Sequence, residues 1–369
     1  MGKRVRDLGI KIGTLKIGQY NAITDVPGVL VGHSTIIKGK SIKGVTNGIV
    51  RTGVTVVYPH KDIFEVPVFA GIHILNGNGE MTGTAWVEES GLLTTPIGLT
   101  NTHSVGIVRD SMISYVKESN ELSKSTNDWM LPIIAETWDG WLNDINGMHI
   151  KKEHVYHALK SACSGFVEEG NVGGGTGMIC YEFKGGIGTS SRLINIAKKS
   201  YKVGVLVQAN YGKREQLLVE GVPVGQKIPI SKIPGKSNVI KGEHSRAGSI
   251  IIIVGTDIPL LPDQCRRLAR RASLGLARMG SISENTSGDL FIAFSTGNNI
   301  SSELLKKDIF PVYTIKANDL TPVFEAVVEA TQEAILNALC AGETMSGILG
   351  RTIYELPKER LISIINNYK

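Results

Sequence analysis

The chain has 369 residues, 42% apolar and 20% charged, the make-up of a folded protein with a sizeable core rather than of a disordered chain. Its net charge of +6 is modest and its basic residues are scattered, so the pI near 9.0 does not mark a nucleic-acid binder. No run reaches the roughly 18 apolar residues of a membrane span, and the start, MGKRVRDLGIKIG, is too charged for a secretory leader.

Four well-separated cysteines (Cys163, Cys180, Cys265, Cys340) form no CxxC pair, which suits free thiols in a reducing, cytoplasmic setting. Taken in order, NAITDVPGVLVGHSTI (21–36) reads as turn, short strand, turn. GVTVVYP (53–59) and VPVFAGIHIL (66–75) read as strands, with a turn at NGNGE (76–80). Helical spacing predicts a helix over KEHVYHALKSAC (152–163). The glycine-rich GNVGGGTG (170–177) feeds a predicted strand, MICYEF (178–183), and VGVLVQANYG (203–212) is another. Residues 222–248, rich in proline, glycine and lysine, predict a long surface connection. SIIIIV (249–254) is apolar and β-branched enough for a strand buried on both faces. A helix from about Leu261 to Ala277, a strand at FIAFSTG (291–297) and an amphipathic helix at 320–342, closed by Gly342, complete the chain. Strands and helices mix without βαβ alternation, which favours α+β layers in one domain spanning 1–369 over a doubly wound sheet.

The histidines are scattered, and only His154 and His157 share helical i, i+3 spacing, so no metal site is expected. GNVGGGTGM lacks the P-loop lysine, and Met178 stands where a dinucleotide fingerprint needs its third glycine. That stretch reads as a turn in which backbones approach closely, and no cofactor is expected.

Ser249 is more informative, because it opens an apolar strand directly behind Gly248. As an internal residue it is a polar strand entry. If the Gly248–Ser249 bond is cut, Ser249 carries a hydroxyl and a free α-amine with a pKa near 8. That amine can serve as base for its own hydroxyl. Ser287 and Asp289 flank Gly288 just ahead of another strand, where a hydroxyl and a carboxylate two residues apart can point to one side and orient such an amine. The plainer reading of this pair is an Asp-containing turn.

RDLGI, NAITDVPGVLVGH, ILNGNGEMTG, ETWDGWLNDI, GGTGMICYEFKGGIGTSSR, LVQANYG, GSIIIIVGTDIPLLP and NTSGDLFIAFSTG occur in this order from Arg6 onward. In them the chain resembles the self-processing serine aminopeptidases of peptidase family S58, typified by the L-aminopeptidase/D-esterase, with the β-aminopeptidases as close relatives. The resemblance implies a four-layer αββα sandwich like that of ornithine acetyltransferase. It implies a precursor that cuts itself into a large fragment, 1–248, and a small fragment, 249–369, which begins with the nucleophile Ser249. Ser287 and Asp289 then match the relay to the new amine, and Asn210 matches the donor to the tetrahedral oxyanion. Glu136 matches the carboxylate for the substrate ammonium, with Asp139 and Asp144 as weaker alternatives. Trp138 stands where some relatives carry a tyrosine, and is expected to form a wall of the substrate pocket. The substrates implied are small peptides, amino-acid amides or esters, with no nucleic acid or membrane partner, and the assembly implied is a homo-oligomer, a tetramer of processed pairs.

Two other readings stand beside this one. An acyltransferase or amide-oligomer hydrolase of the same fold would favour a threonine nucleophile, which Ser249 is not. An unprocessed binding protein would keep the Gly248–Ser249 bond whole.

Overall fold

In the computed structural model, residues 3–118, 129–238 and 248–368 are described. The strands in chain order are β1 (Leu30–Lys38), β2 (Val50–Tyr58), β3 (Val68–Gly77), β4 (Leu92–Leu93), β5 (Ile97–Asn101), β6 (Ile133–Thr137), β7 (Ile179–Cys180), β8 (Phe183–Lys184), β9 (Gly186–Ile196), β10 (Lys199–Asn210), β11 (Ser249–Thr256), β12 (Gly288–Ser295), β13 (Met345–Ser346) and β14 (Thr352–Ile353). The α-helices are α1 (Thr84–Ser90), α2 (Val105–Glu118), α3 (Lys152–Lys160), α4 (Val224–Lys227), α5 (Pro262–Arg278), α6 (Ser302–Leu305), α7 (Leu320–Ala341) and α8 (Lys358–Asn366).

Two sheets face each other. One has four strands in the order β1-β2-β5-β6, and the other has six in the order β4-β3-β12-β11-β10-β9. Helices α5 and α7 cover the outer face of the larger sheet, while α2 and α3 cover the smaller. The result is the four-layer αββα sandwich that the resemblance implies.

β11 shows why the isoleucine run is needed. Ile250, Ile252 and Val254 point into the core under the helices, whereas Ile251 and Ile253 point into the core between the sheets. A strand with no wet face has no place for polar alternation. It lies antiparallel to β10 and parallel to β12, and α5 supplies the crossover that parallel pairing requires.

Four expectations change. MICYEF is not one strand but the two short strands β7 and β8, folded back on each other through Tyr181 and Glu182, both at positive φ (49° and 59°). Nothing in that hexapeptide carries the glycine or asparagine that usually signals such a turn. The expected surface connection is partly core, since Val222, Val224, Gly225 and Ile228 are buried and α4 forms within it. Residues 239–247 of it lie outside the described residues. Helix α7 is not amphipathic in its surroundings, because every residue from Ala326 to Ala341 is buried. Its polar stripe meets buried arginines instead of water: Arg192 pairs with Glu329 and Glu333 at 2.8 Å each. Periodicity reports a polar stripe but not what satisfies it. The helix predicted over 152–163 stops at Lys160, and β5, β6, β9 and α2 were not expected.

Candidate active site

The site forms where β10 ends and β11 begins, at one end of the space between the sheets. Asn210, the last residue of β10, lies directly across from Ser249, the first of β11. Facing residues on antiparallel strands sit about 5 Å apart with their side chains on one face. Parity does the rest: Leu206 on β10 and Ile251 on β11 both belong to the core between the sheets, so Asn210 and Ser249 turn the same way. Gly248 is held against β10 so closely that a Cβ there would come 1.4 Å from the carbonyl oxygen of Asn210. No side chain fits, which is the reason for glycine ahead of the serine.

Ser249 is buried, and its Oγ accepts a hydrogen bond from the Gly288 N–H at 3.1 Å. On the other side of the same peptide bond, the Gly248 carbonyl lies 2.5 Å from the hydroxyl of Ser287. That hydroxyl is also 2.6 Å from Asp289 Oδ1. A serine hydroxyl has one proton and cannot donate to both acceptors. Burial pushes the Asp289 carboxyl above its ordinary range, opposed by hydrogen bonds from Ser283 and Ser287. In its protonated form Asp289 can donate to Ser287, which then donates to the Gly248 carbonyl. A protonated Asp289 would thus be linked through Ser287 to the carbonyl next to Ser249.

Asn210 is fixed at both ends of its amide. Its Oδ1 accepts from the Ile179 N–H at 2.8 Å, and its Nδ2 donates to the Trp138 carbonyl at 2.9 Å. These contacts also settle which end is which. One N–H of Nδ2 is taken by Trp138, leaving the second as a donor beside Ser249.

Glu136 comes from β6 of the opposite sheet. Its Oε1 accepts from the Glu80 N–H at 3.1 Å, and its Oε2 takes a short hydrogen bond from the Thr102 hydroxyl. Burial holds its carboxyl above the usual range against those two bonds. Gly79 stands between it and Gly288, since a Cβ on Gly79 would be 3.2 Å from both Glu136 Oε1 and Gly288 Cα. Half-buried Trp138 packs against the apolar cluster of Trp141, Leu142, Ile179, Met345 and Ile353.

The two alternatives to Glu136 separate from it. Asp144 holds the Gly48 N–H and His149 (2.9 and 3.0 Å) at the edge of a loop. Asp139 is wholly buried, receives Asn143 Nδ2 at 3.0 Å, and is pushed up to about 7 by burial. Its Oδ2 is buried without a hydrogen-bond partner.

Sequence reasoning missed Ser283, whose hydroxyl makes a short bond to Asp289 Oδ2, and Thr102, which holds Glu136. Neither has a local signal, since each reaches its carboxylate from a separate loop or turn. It also missed the backbone donors of Ile179 and Gly288, which no side-chain pattern can reveal. Among the described residues no group of three or more His, Cys, Asp or Glu side chains gathers to hold a metal. His154 and His157 bond the backbone of Lys151 and His33 respectively.

A family model described as Peptidase family S58 matches residues 21–353. The beta-peptidyl aminopeptidase BapA of Sphingosinicella microcystinivorans is 46% identical over 375 residues, covering 100% of this chain and 93% of its own length. A beta-aminopeptidase from Burkholderia sp. superposes with a TM-score of 0.89 at 45% identity, covering 99% of both chains. The L-aminopeptidase D-Ala-esterase/amidase of Ochrobactrum anthropi, a serine aminopeptidase with a variant of the Ntn hydrolase fold, superposes with a TM-score of 0.91 at 42% identity over 99% of this chain and 98% of its own.

Proposed function

This chain belongs to peptidase family S58 and is a serine aminopeptidase, and on that premise we propose that it makes its own nucleophile by cutting the Gly248–Ser249 bond. The observation that carries the reading is the convergence on one peptide bond. Ser249 Oγ lies on one side, and the Ser287 hydroxyl lies 2.5 Å from the carbonyl on the other. Ser249 Oγ attacks the Gly248 carbonyl carbon while Ser287 donates to its oxygen. The C–N bond then breaks, the nitrogen takes up the proton that the Ser249 hydroxyl gave up, and Gly248 is held as an ester on Ser249. Water hydrolyses that ester, leaving fragment 1–248 with a carboxylate and fragment 249–369 with a free α-amine.

The mature site reuses the same parts. The α-amine, with a pKa near 8 when unperturbed, takes the proton of its own hydroxyl. Ser287 and Asp289, relieved of the Gly248 carbonyl, orient that amine. Ser249 attacks the acyl carbon of the substrate, and the second N–H of Asn210 meets the developing oxyanion, a contact whose loss typically costs about 10²–10³ in rate. The leaving amine departs with a proton, and water releases the acyl group. Glu136 receives the substrate's ammonium, which limits the enzyme to acyl groups with a free amine. Amino-acyl amides, peptides and esters fit that rule, and the names of the relatives support β-aminoacyl groups among them.

The unpaired thiols support a cytoplasmic setting, and among the described residues no helix is long and apolar enough to cross a membrane. The tetramer of processed pairs rests on the family alone.

Intact mass tests the central step. The purified parent should give two fragments dividing at 248/249, and Ser249→Ala should remain one chain without activity. Cleavage of Ser249→Ala at the same bond in the absence of added protease would overturn self-processing.

A further inference from the structure

Lys184 is a lysine shut away from solvent. It is fully buried, and among the described residues no acidic side chain pairs with it. Its Nζ instead faces three backbone carbonyls, Met178 and Gly185 at 2.8 Å and Gly175 at 3.3 Å. Three acceptors around one nitrogen match the three hydrogens of an ammonium, whereas a neutral amine has only two. Such a cation is costly to bury, and a plain core would place an apolar residue here.

One of those carbonyls belongs to a peptide group that matters. The Met178 C=O and the Ile179 N–H are opposite ends of the same peptide unit. The first accepts from Lys184, and the second donates to Asn210 Oδ1 at 2.8 Å. Charge at the carbonyl polarises the whole unit and makes its N–H a stronger donor. The side-chain amide of Asn210 responds in the same way: an Oδ1 that accepts more strongly leaves Nδ2 a stronger donor.

We propose that Lys184 is a positioning residue for catalysis, whose buried ammonium acts through the Met178–Ile179 peptide and the Asn210 amide to strengthen the oxyanion donor. The proposal rests on the reading of Asn210 given above. The path contains two planar amides and three hydrogen bonds, the last formed only when the oxyanion develops. It therefore favours the transition state over the bound substrate. Burial pulls the Lys184 amine down to about 7, with the Cys180 thiol as the group that opposes the shift; hydrogen bonds to the three carbonyls favour its charged form.

A double-mutant cycle tests it, with kcat and KM measured per processed chain on one amino-acid amide. Lys184→Met should lower kcat about tenfold and leave KM within about twofold, since the contact it supports is made in the transition state. Asn210→Ala should lower kcat further, and adding Lys184→Met to it should change kcat by less than about twofold. Lys184→Gln keeps two N–H donors without the charge. It should show the same coupling with a smaller loss, and it carries the cycle should Lys184→Met not fold. An equal loss with and without Asn210, or a loss carried by KM, would overturn the relay while leaving Asn210 as oxyanion donor. Parent-like kcat in Asn210→Ala would overturn the reading of Asn210 and the relay with it.

Discussion

Glu136 enters the site already holding two hydrogen bonds, from the Glu80 N–H and the Thr102 hydroxyl. Those bonds fix the carboxylate without exhausting it, because each oxygen has a second lone pair. Burial raises its pKa, so it protonates at a higher pH than a surface glutamate. Protonation removes the charge that an ammonium needs. For a free-amine substrate, KM of the parent should therefore rise as pH falls through that raised pKa. Glu136→Gln should flatten this acid limb and weaken free-amine substrates by roughly 1.5–3 kcal/mol, about one to two powers of ten in kcat/KM. It should leave self-cleavage intact, since no free amine takes part in that step. The comparison is kcat/KM for free-amine and N-acetylated forms of one ester. Equal losses on both would remove Glu136 from ammonium recognition.

Elements place these residues, and the sequence discloses them unevenly. β11 was legible because a strand buried on both faces needs an unbroken apolar run, and Ser249 stood out against it. Ser287 and Asp289 were legible as a pair because two residues of strand spacing bring them together. Their acceptor, the Gly248 carbonyl, was not, since it depends on the parallel pairing of β11 with β12. Asn210 without the family resemblance is only a residue before a turn, and its meaning comes from the register that sets it opposite Ser249. The β7–β8 turn was hidden because Tyr181 and Glu182 occupy a backbone region that their types rarely signal. Gly248 gives the test at this scale. A Cβ at that position would overlap the Asn210 carbonyl, 1.4 Å away, so Gly248→Ala must push β11 and β10 apart at the reacting bond. Misplacement of about 1 Å can cost on the order of a hundredfold in rate. Gly248→Ala should accumulate as uncut chain and convert about a hundredfold more slowly, followed by intact mass over time. Conversion at the parent's rate would show that the close approach of Gly248 to β10 has no part in processing.

At the scale of the whole molecule, the proposed cut falls between two strands that remain neighbours. In the larger sheet β11 and β12 of fragment 249–369 lie between β3 and β10 of fragment 1–248, so each fragment completes the other's sheet. Behind that sheet, helix α7 of the small fragment carries Glu329 and Glu333 into arginines of the large one. Arg192 Nε meets Glu329 at 2.8 Å, Arg192 Nη2 meets Glu333 at 2.8 Å, and Arg6 Nε meets Glu333 at 2.6 Å. Asn21 adds a further bond to Glu333 at 2.6 Å. Burial pushes the Glu333 carboxyl up, but Arg6 and Arg192 outweigh it and hold the group below its usual range. Both fragments should therefore co-elute after cleavage and part only in denaturant. Removing one member of a buried ion cluster leaves its partners short of charge and costs about 3–5 kcal/mol. Glu333→Gln should show that loss, since Arg192 would keep Glu329 while Arg6 would lose its only carboxylate among the described residues. The measurement belongs in the Ser249→Ala chain, where unfolding is not complicated by fragments drifting apart. Urea titration of Ser249→Ala with and without Glu333→Gln should give a lower midpoint at unchanged slope. An unchanged midpoint would mean that the interleaved strands alone hold the halves together and that the buried ions add nothing to that hold.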